Sequence, residues 1–329
     1  STIAEEIYLQ FTRPVAGQQS MQLSQILARV TALSLPLMIL TACLLFFVLR
    51  SWSLYPAMST SAPLLFPLRR GRLLWTIQFA ALSLFLFATP LVSLIDRAGQ
   101  DQSLGSRMRQ AIDLEGWAIL RHLGVAFLIG LLTTGVALLL CWRANESRRF
   151  RFFVLALMIV AWTLPGPLVG LAWKQGAHLL LDLCDWEWLA ILLHNGPSAF
   201  PVVHVQMIRL LPFALALLWP VIRQLPPELL ESARVDGASA SKELRWVVWP
   251  WMRRAFLMSM LIVMALSLGE LSASKLVSTP GMGTFAEDLF AQMHYRLGPA
   301  LAARSLLLLA LVAGPVSFVL WMINREPQS

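Results

Sequence analysis

The chain has 329 residues, 57% of them hydrophobic and only 13% charged, where a soluble domain carries about 25% charged residues. That balance excludes an ordinary soluble protein, and apolar runs of about 20 residues are long enough to cross a bilayer. The net charge of +8 would suit a nucleic-acid surface, but the arginines gather at the ends of the apolar runs. They are therefore a topology signal, and nucleic acid is not expected as a partner.

Backbone groups in lipid must pair within their own segment, so the runs are helices. The short alternating segments of a β-barrel are absent. The predicted fold class is an all-α membrane protein with about seven transmembrane helices. Residues 1–24 are polar to amphipathic and have no basic region followed by a cleavage site, so they do not form a signal peptide. Spans are predicted at about 25–49, 73–95, 117–142, 152–173, 200–222, 251–273 and 301–323. Residues 50–72 form a loop ending in Arg69-Arg70-Gly71-Arg72, and 96–116 form a second, polar loop. The stretch 174–199 holds Asp182, Asp185 and Glu187 among Leu and Trp residues. Three acids make a crossing costly, so an amphipathic helix at the interface is expected, anchored by Trp186 and Trp188.

More than half of the 26 Lys and Arg residues fall in 50–72, 143–151, 223–254 and the tail. The positive-inside rule places these segments in the cytoplasm and the N-terminus outside. The three cysteines, Cys43, Cys141 and Cys184, have neither metal-site nor disulfide spacing.

The most charged long stretch of the second half is 226–250, between two apolar runs. Pro226 and Pro227 suit a helix start, Glu228 and Glu231 favour its positive end, and Asp236-Gly237 reads as a stop with positive φ. A second short helix is expected over 238–249, bounded by Pro250. Glu231-Ser232-Ala233, three residues, Gly237, nine residues, then Val247-Val248-Trp249-Pro250 resembles the EAA loop of ABC-transporter permeases. Ser232, Val247 and Trp249 depart from the family pattern; Glu231, Ala233, Gly237 and Pro250 match it. The resemblance implies a MetI-like permease core in an inner membrane. It also implies a cytoplasmic ABC ATPase dimer docked on this loop, with ATP and Mg on that partner and no cofactor on this chain. The remaining implied partners are a periplasmic substrate-binding protein and the lipid bilayer.

Thr2-Ile-Ala-Glu-Glu-Ile-Tyr-Leu-Gln-Phe11 aligns with Thr284-Phe-Ala-Glu-Asp-Leu-Phe-Ala-Gln-Met293, and Ala28-Arg29 with Ala303-Arg304. This reads as a duplicated unit. Residues 1–49 are then the tail of a first permease half: an external amphipathic segment and a last span. Residues 50–116 are a cytoplasmic linker, the first span of the second half and an external loop. Residues 117–329 are the permease core. A second half is expected upstream or on another chain. The layout is similar to the iron(III)-type fused double permeases, as is Gly269-Glu270-Leu271-Ser272-Ala273 followed by Pro280-Gly281 and Thr284-Phe285-Ala286. Iron(III) is the implied substrate. Thiamine or another small solute or anion is the alternative, and a membrane enzyme or assembly protein is the alternative of another class.

The sequence carries no GxxxxGK[ST] loop and no nucleophile–base arrangement, so no catalytic residue is expected. The five histidines are scattered, and no metal site is expected. The polar groups within spans are candidates for a pathway: Arg209, His204, Gln206, Glu270, and the break at Pro165-Gly166-Pro167. Arg209 and Glu270 read either as a gating or structural pair, or as a locally paired cation and an interfacial acid.

Overall fold

Two serines decide where the longest helix begins and ends. Ser103 Oγ accepts from the Ser106 amide at 3.3 Å, opening α2, Leu104–Glu146. Ser147 closes it and accepts from the Phe150 amide at 3.4 Å, opening α3, Arg148–Thr163. The structure is a computed structural model and describes residues 72–184, 186–295 and 298–325, together with 32, 34–36 and 38–47. The described residues form helices and turns, with no strand among them.

Helix α1, Arg72–Ala98, precedes α2. After α3, Leu164 and Pro165 turn the chain into α4, Gly166–Leu183, at 104° to α3. A short α5, Glu187–Ala190, continues through a π-helical turn to Asn195. Helix α6 is Phe200–Ile222 and α7 is Pro227–Val235. Helix α8, Ala240–Glu243, runs through a π-helical turn at Leu244–Val248 into α9, Trp249–Leu268. Helices α10, Ser274–Val277, α11, Phe285–Tyr295, and α12, Pro299–Asn324, follow.

Helices α2, α6 and α9 pack on one another to form the centre. Ile129, Leu138, Leu215, Leu218, Met252 and Val263 are all within 5% of complete burial there. A Cβ on Gly130 would stand 2.8 Å from the Met260 carbonyl, so a glycine sets the approach of α2 to α9. Helix α12 carries α1 on its flank through Ala98, Ala302 and Ala303. The exposed side chains of α1, Leu73 to Phe87, form a lipid-suited surface.

The spans predicted at 73–95, 117–142, 200–222, 251–273 and 301–323 all correspond to helices long and apolar enough to cross a membrane. Three expectations change. Residues 96–116 are not all loop, because α2 is helical from Leu104; at about 1.5 Å per residue it outreaches the ~30 Å hydrocarbon layer. The span at 152–173 is broken, because Pro165 and Pro167 cannot donate in a helical ladder. The expected interfacial helix at 174–199 is mostly the end of α4 plus a short turn, although Trp186 and Trp188 are exposed and stacked at 5.6 Å. Asp185 lies outside the described residues. So do the Thr2–Phe11 repeat copy and both ends of the first predicted span, of which Ser34–Phe47 is an apolar helix.

Candidate functional site: a keyed loop and a broken helix

The 226–250 loop is built from its caps inward. Pro226 precedes α7 with extended backbone, and Glu228 lies in the first turn. At the other end the Gly237 amide bonds the Arg234 carbonyl at 3.0 Å, and the Ala238 amide the Ala233 carbonyl at 2.9 Å. This pair is a Schellman closure, which needs a left-handed residue. Gly237 supplies it with φ +77°. Leu230 turns into the core, Ala233 is half-buried, and Glu231, Ser232 and Gly237 face outward. Leu229, Val235 and Trp246 are also exposed on this loop, Val235 by 87%.

Pro250 is not the boundary expected from the sequence. One helical run continues from Ala240 to Leu268. The Trp249 amide bonds the Leu244 carbonyl, so the ladder shifts by one residue just before the proline that cannot donate. Val247 packs against the core on this run.

The loop is keyed to the bundle by residues the sequence did not single out. Glu243 is only 3% exposed. Its Oε2 accepts from Arg234 Nε at 3.0 Å, and its Oε1 from Arg234 Nη2 and Trp142 Nε1, both at 3.2 Å. Arg234 also pairs with Glu146, which holds Arg143 at 2.9 Å. A fork-shaped guanidinium and an indole N–H thus satisfy a carboxylate that would otherwise be buried unpaired. These contacts join α7 and α8 to the end of α2. No local spacing signals a pair such as Arg234 and Glu146, 88 residues apart.

The break between α3 and α4 frees backbone groups, and Arg209 takes one of them. Arg209 Nη1 donates to the Leu164 carbonyl at 2.7 Å. The start of α4 then lies directly on the segment after α9. A Cβ on Gly166 would fall 2.0 Å from Ser272 Oγ, and one on Gly170 2.8 Å from the Ala273 carbonyl. Glu270 Oε1 accepts from Ser272 Oγ at 2.6 Å and from the Ala273 amide at 3.1 Å. Arg209 and Glu270 therefore do not pair; each caps irregular backbone close to itself. Pro165, Gly166, Arg209 and Glu270 nonetheless meet around one hinge.

Gln206 and His204 separate, as residues two apart on a helix must. Gln206 is buried and accepts from Ser267 Oγ at 2.5 Å, joining α6 to α9. His204 is exposed, with its ring 4.5 Å from that of Trp173. Near the middle of α2, Arg121 donates to the Gly281 carbonyl at 2.7 Å, and His122 Nε2 lies 2.6 Å from the Gly283 carbonyl. Glu115 pairs with Arg304 nearby. No group of three or more metal-ligating side chains occurs among the described residues. Cys141 is buried, and all three cysteines are free.

Residues 126–324 match the family described as binding-protein-dependent transport system inner membrane component. The chain belongs to that family. It is thus a multi-pass inner-membrane component of a transport system. Among relatives, it is 22% identical over 166 residues to the trehalose/maltose transport system permease protein MalF of Thermococcus litoralis, covering 47% of this chain and 55% of that one. It is 33% identical over 90 residues to the trehalose transport system permease protein SugA of Mycobacterium tuberculosis, covering 27% of this chain and 29% of SugA. The permease thus spans about half the length of MalF and less of SugA.

Proposed function

We propose that this permease is one membrane half of an ATP-driven importer, and that the 226–250 loop passes the motion of a cytoplasmic ATPase into the helix bundle. The observation that carries this reading is the Glu243 junction. The loop that resembles an ATPase-docking element is joined through a buried carboxylate to α2. Trp142 near one end of α2 and Arg121 near its middle are separated by about 30 Å of continuous helix. Force on α7 therefore reaches the 278–284 segment beside the hinge. Glu231, Ser232, Ala233, Gly237, Val247 and Pro250 shape the docking loop. Arg209, Glu270, Pro165 and Gly166 shape the hinge, with Gln206 joining the helices that flank it. His204 lies off that line.

In this reading ATP and Mg sit on the partner ATPase, a periplasmic binding protein delivers the solute, and a second permease half completes the pathway. The names of the relatives favour a disaccharide-class solute over iron(III). The iron reading rests on the duplicated layout and on residues 269–286, whose acid Glu270 already caps the turn that follows it. Reconstitution of the permease with its ATPase and binding protein tests both points. ATP hydrolysis stimulated by trehalose- or maltose-loaded binding protein is expected. Stimulation by an iron(III)-loaded protein alone would reverse the substrate assignment, and failure to bind any ATPase would overturn the permease mechanism.

A further inference from the structure

The helix after the break turns one face toward an open cavity. Trp173, Lys174, Ala177, His178 and Leu181 of α4 recur at the spacing of a single helical face. They form one wall of a cavity of about 260 Å³. The π-helical turn at Leu193–Asn195 forms a second wall, and Val277, Ser278 and Pro280 form a third. The second and third walls are joined through Thr279. Its Oγ1 accepts from the Ser198 amide at 3.1 Å and donates to the Ser198 carbonyl at 2.9 Å. Helix α4 is seated on the segment leading to the third wall, because Gly170 lets Ala273 and Leu276 approach. The cavity thus lies beside the hinge, at the end of the bundle opposite the keyed loop.

The lining is of two kinds. Ala177, Leu193 and Val277 are buried and make an apolar floor. His178 and His194 are exposed at the mouth, their rings edge to face at 5.5 Å, and Asn195 is exposed next to His194. Trp173 Nε1 is buried without a hydrogen-bond partner among the described residues. It is a donor that a ligand oxygen would satisfy. Lys174 is the one cation among the described lining residues, and no acid is among them. Asp182, one turn beyond His178 on α4, offsets that charge, so electrostatics do not select an anion. No third metal-ligating side chain joins the two histidines among the described residues, so a metal ion is not selected either.

We propose that this cavity receives a neutral polyhydroxyl solute, one ring of the disaccharide-class molecule named above; the assignment rests on that reading. A sugar ring has an apolar face for the floor and a rim of hydroxyls. Those hydroxyls accept from Lys174 and from the Trp173 indole, and exchange hydrogen bonds with His178, His194, Asn195 and Ser278. The volume is just below the roughly 300–1,000 Å³ of small-molecule sites, which suits one ring better than two. Ser278 and Pro280 belong to the segment that the keyed loop reaches through α2, so occupancy of the cavity and the state of the loop share a structural element.

Saturation-transfer NMR on the purified permease in lipid nanodiscs, without binding protein, tests this with trehalose and maltose. Inorganic phosphate, followed by phosphorus line broadening, is the anionic probe. Saturable binding of at least one sugar is expected, with no phosphate binding. His194→Ala/Asn195→Ala, at two exposed positions, should weaken sugar binding by on the order of tenfold through lost hydrogen bonds. His178→Trp closes the mouth and should abolish it, which keeps the test decisive if the double variant misfolds. Sugar binding undiminished in both variants would overturn the proposal, as would binding of phosphate in place of sugar. No sugar binding to a permease whose reconstituted complex still responds to sugar-loaded binding protein would overturn this site and leave the substrate reading standing. No sugar binding together with no such response would overturn both.

Discussion

Glu243 is the residue on which the keyed end of the bundle depends, because its burial is tolerable only while Arg234 and Trp142 donate to it. Arg234→Ala should destabilise the protein by roughly 3 kcal/mol, the lower end for breaking a buried pair, since the Arg234 side chain is itself half exposed. The loss should appear as a lowered unfolding temperature in detergent. Glu243→Gln in addition should restore part of it by removing the stranded charge; no loss in Arg234→Ala would contradict the junction. Gly166 makes a second, steric case. Gly166→Ala places a Cβ 2.0 Å from Ser272 Oγ and 2.8 Å from Ser272 Cβ. It should lower the unfolding temperature, and Ser272→Gly should recover most of the loss by vacating that space. If Ser272→Gly recovers nothing, α4 does not sit on this segment as described.

Among the elements, the 226–250 loop was the most legible. Its glycine, its prolines and its charge all speak through local backbone chemistry, and Gly237 has the left-handed φ its position required. Pro250 was misread because a π-helical turn lets a helix absorb a proline, and no residue type announces such a turn. The hinge was half legible. Pro165-Gly166-Pro167 signalled freed backbone groups, but a sequence cannot show that Arg209 answers Leu164 while Glu270 answers Ser272 and Ala273. The partners of Glu243 come from α2 and α7 and left no pattern at all. For the loop itself, Gly237→Val forces a β-branched side chain into positive φ. In the reconstituted complex it should abolish solute-stimulated ATP hydrolysis while membrane insertion stays normal, as read by stimulated against basal rates. Wild-type stimulation would remove Gly237 from the coupling role.

On the scale of the whole molecule, the helices sort their ends into two groups. Contacts of Trp142 and Glu146 with Glu243 and Arg234 put 142–146 and 226–250 at one end. Contacts of Arg121 and His122 with Gly281 and Gly283 gather the other end. By the positive-inside rule, the arginine distribution predicts that the first end is cytoplasmic. In a cysteine-free background, Ser147→Cys should then react with a membrane-impermeant thiol reagent only from inside, and Ser103→Cys only from outside. Labelling of both from one face would overturn the arrangement.

The central claim is that the 226–250 loop is where the ATPase engages this permease, and Val235, 87% exposed on α7, is the place to probe it. Val235→Cys, in the assembled complex and with a short thiol-to-amine cross-linker, should join the permease to the ATPase. The same cysteine should be shielded from thiol reagents when the ATPase is bound and open when it is stripped away. An ATPase that stays bound while Val235→Cys remains fully reactive and forms no cross-link would contradict the claim.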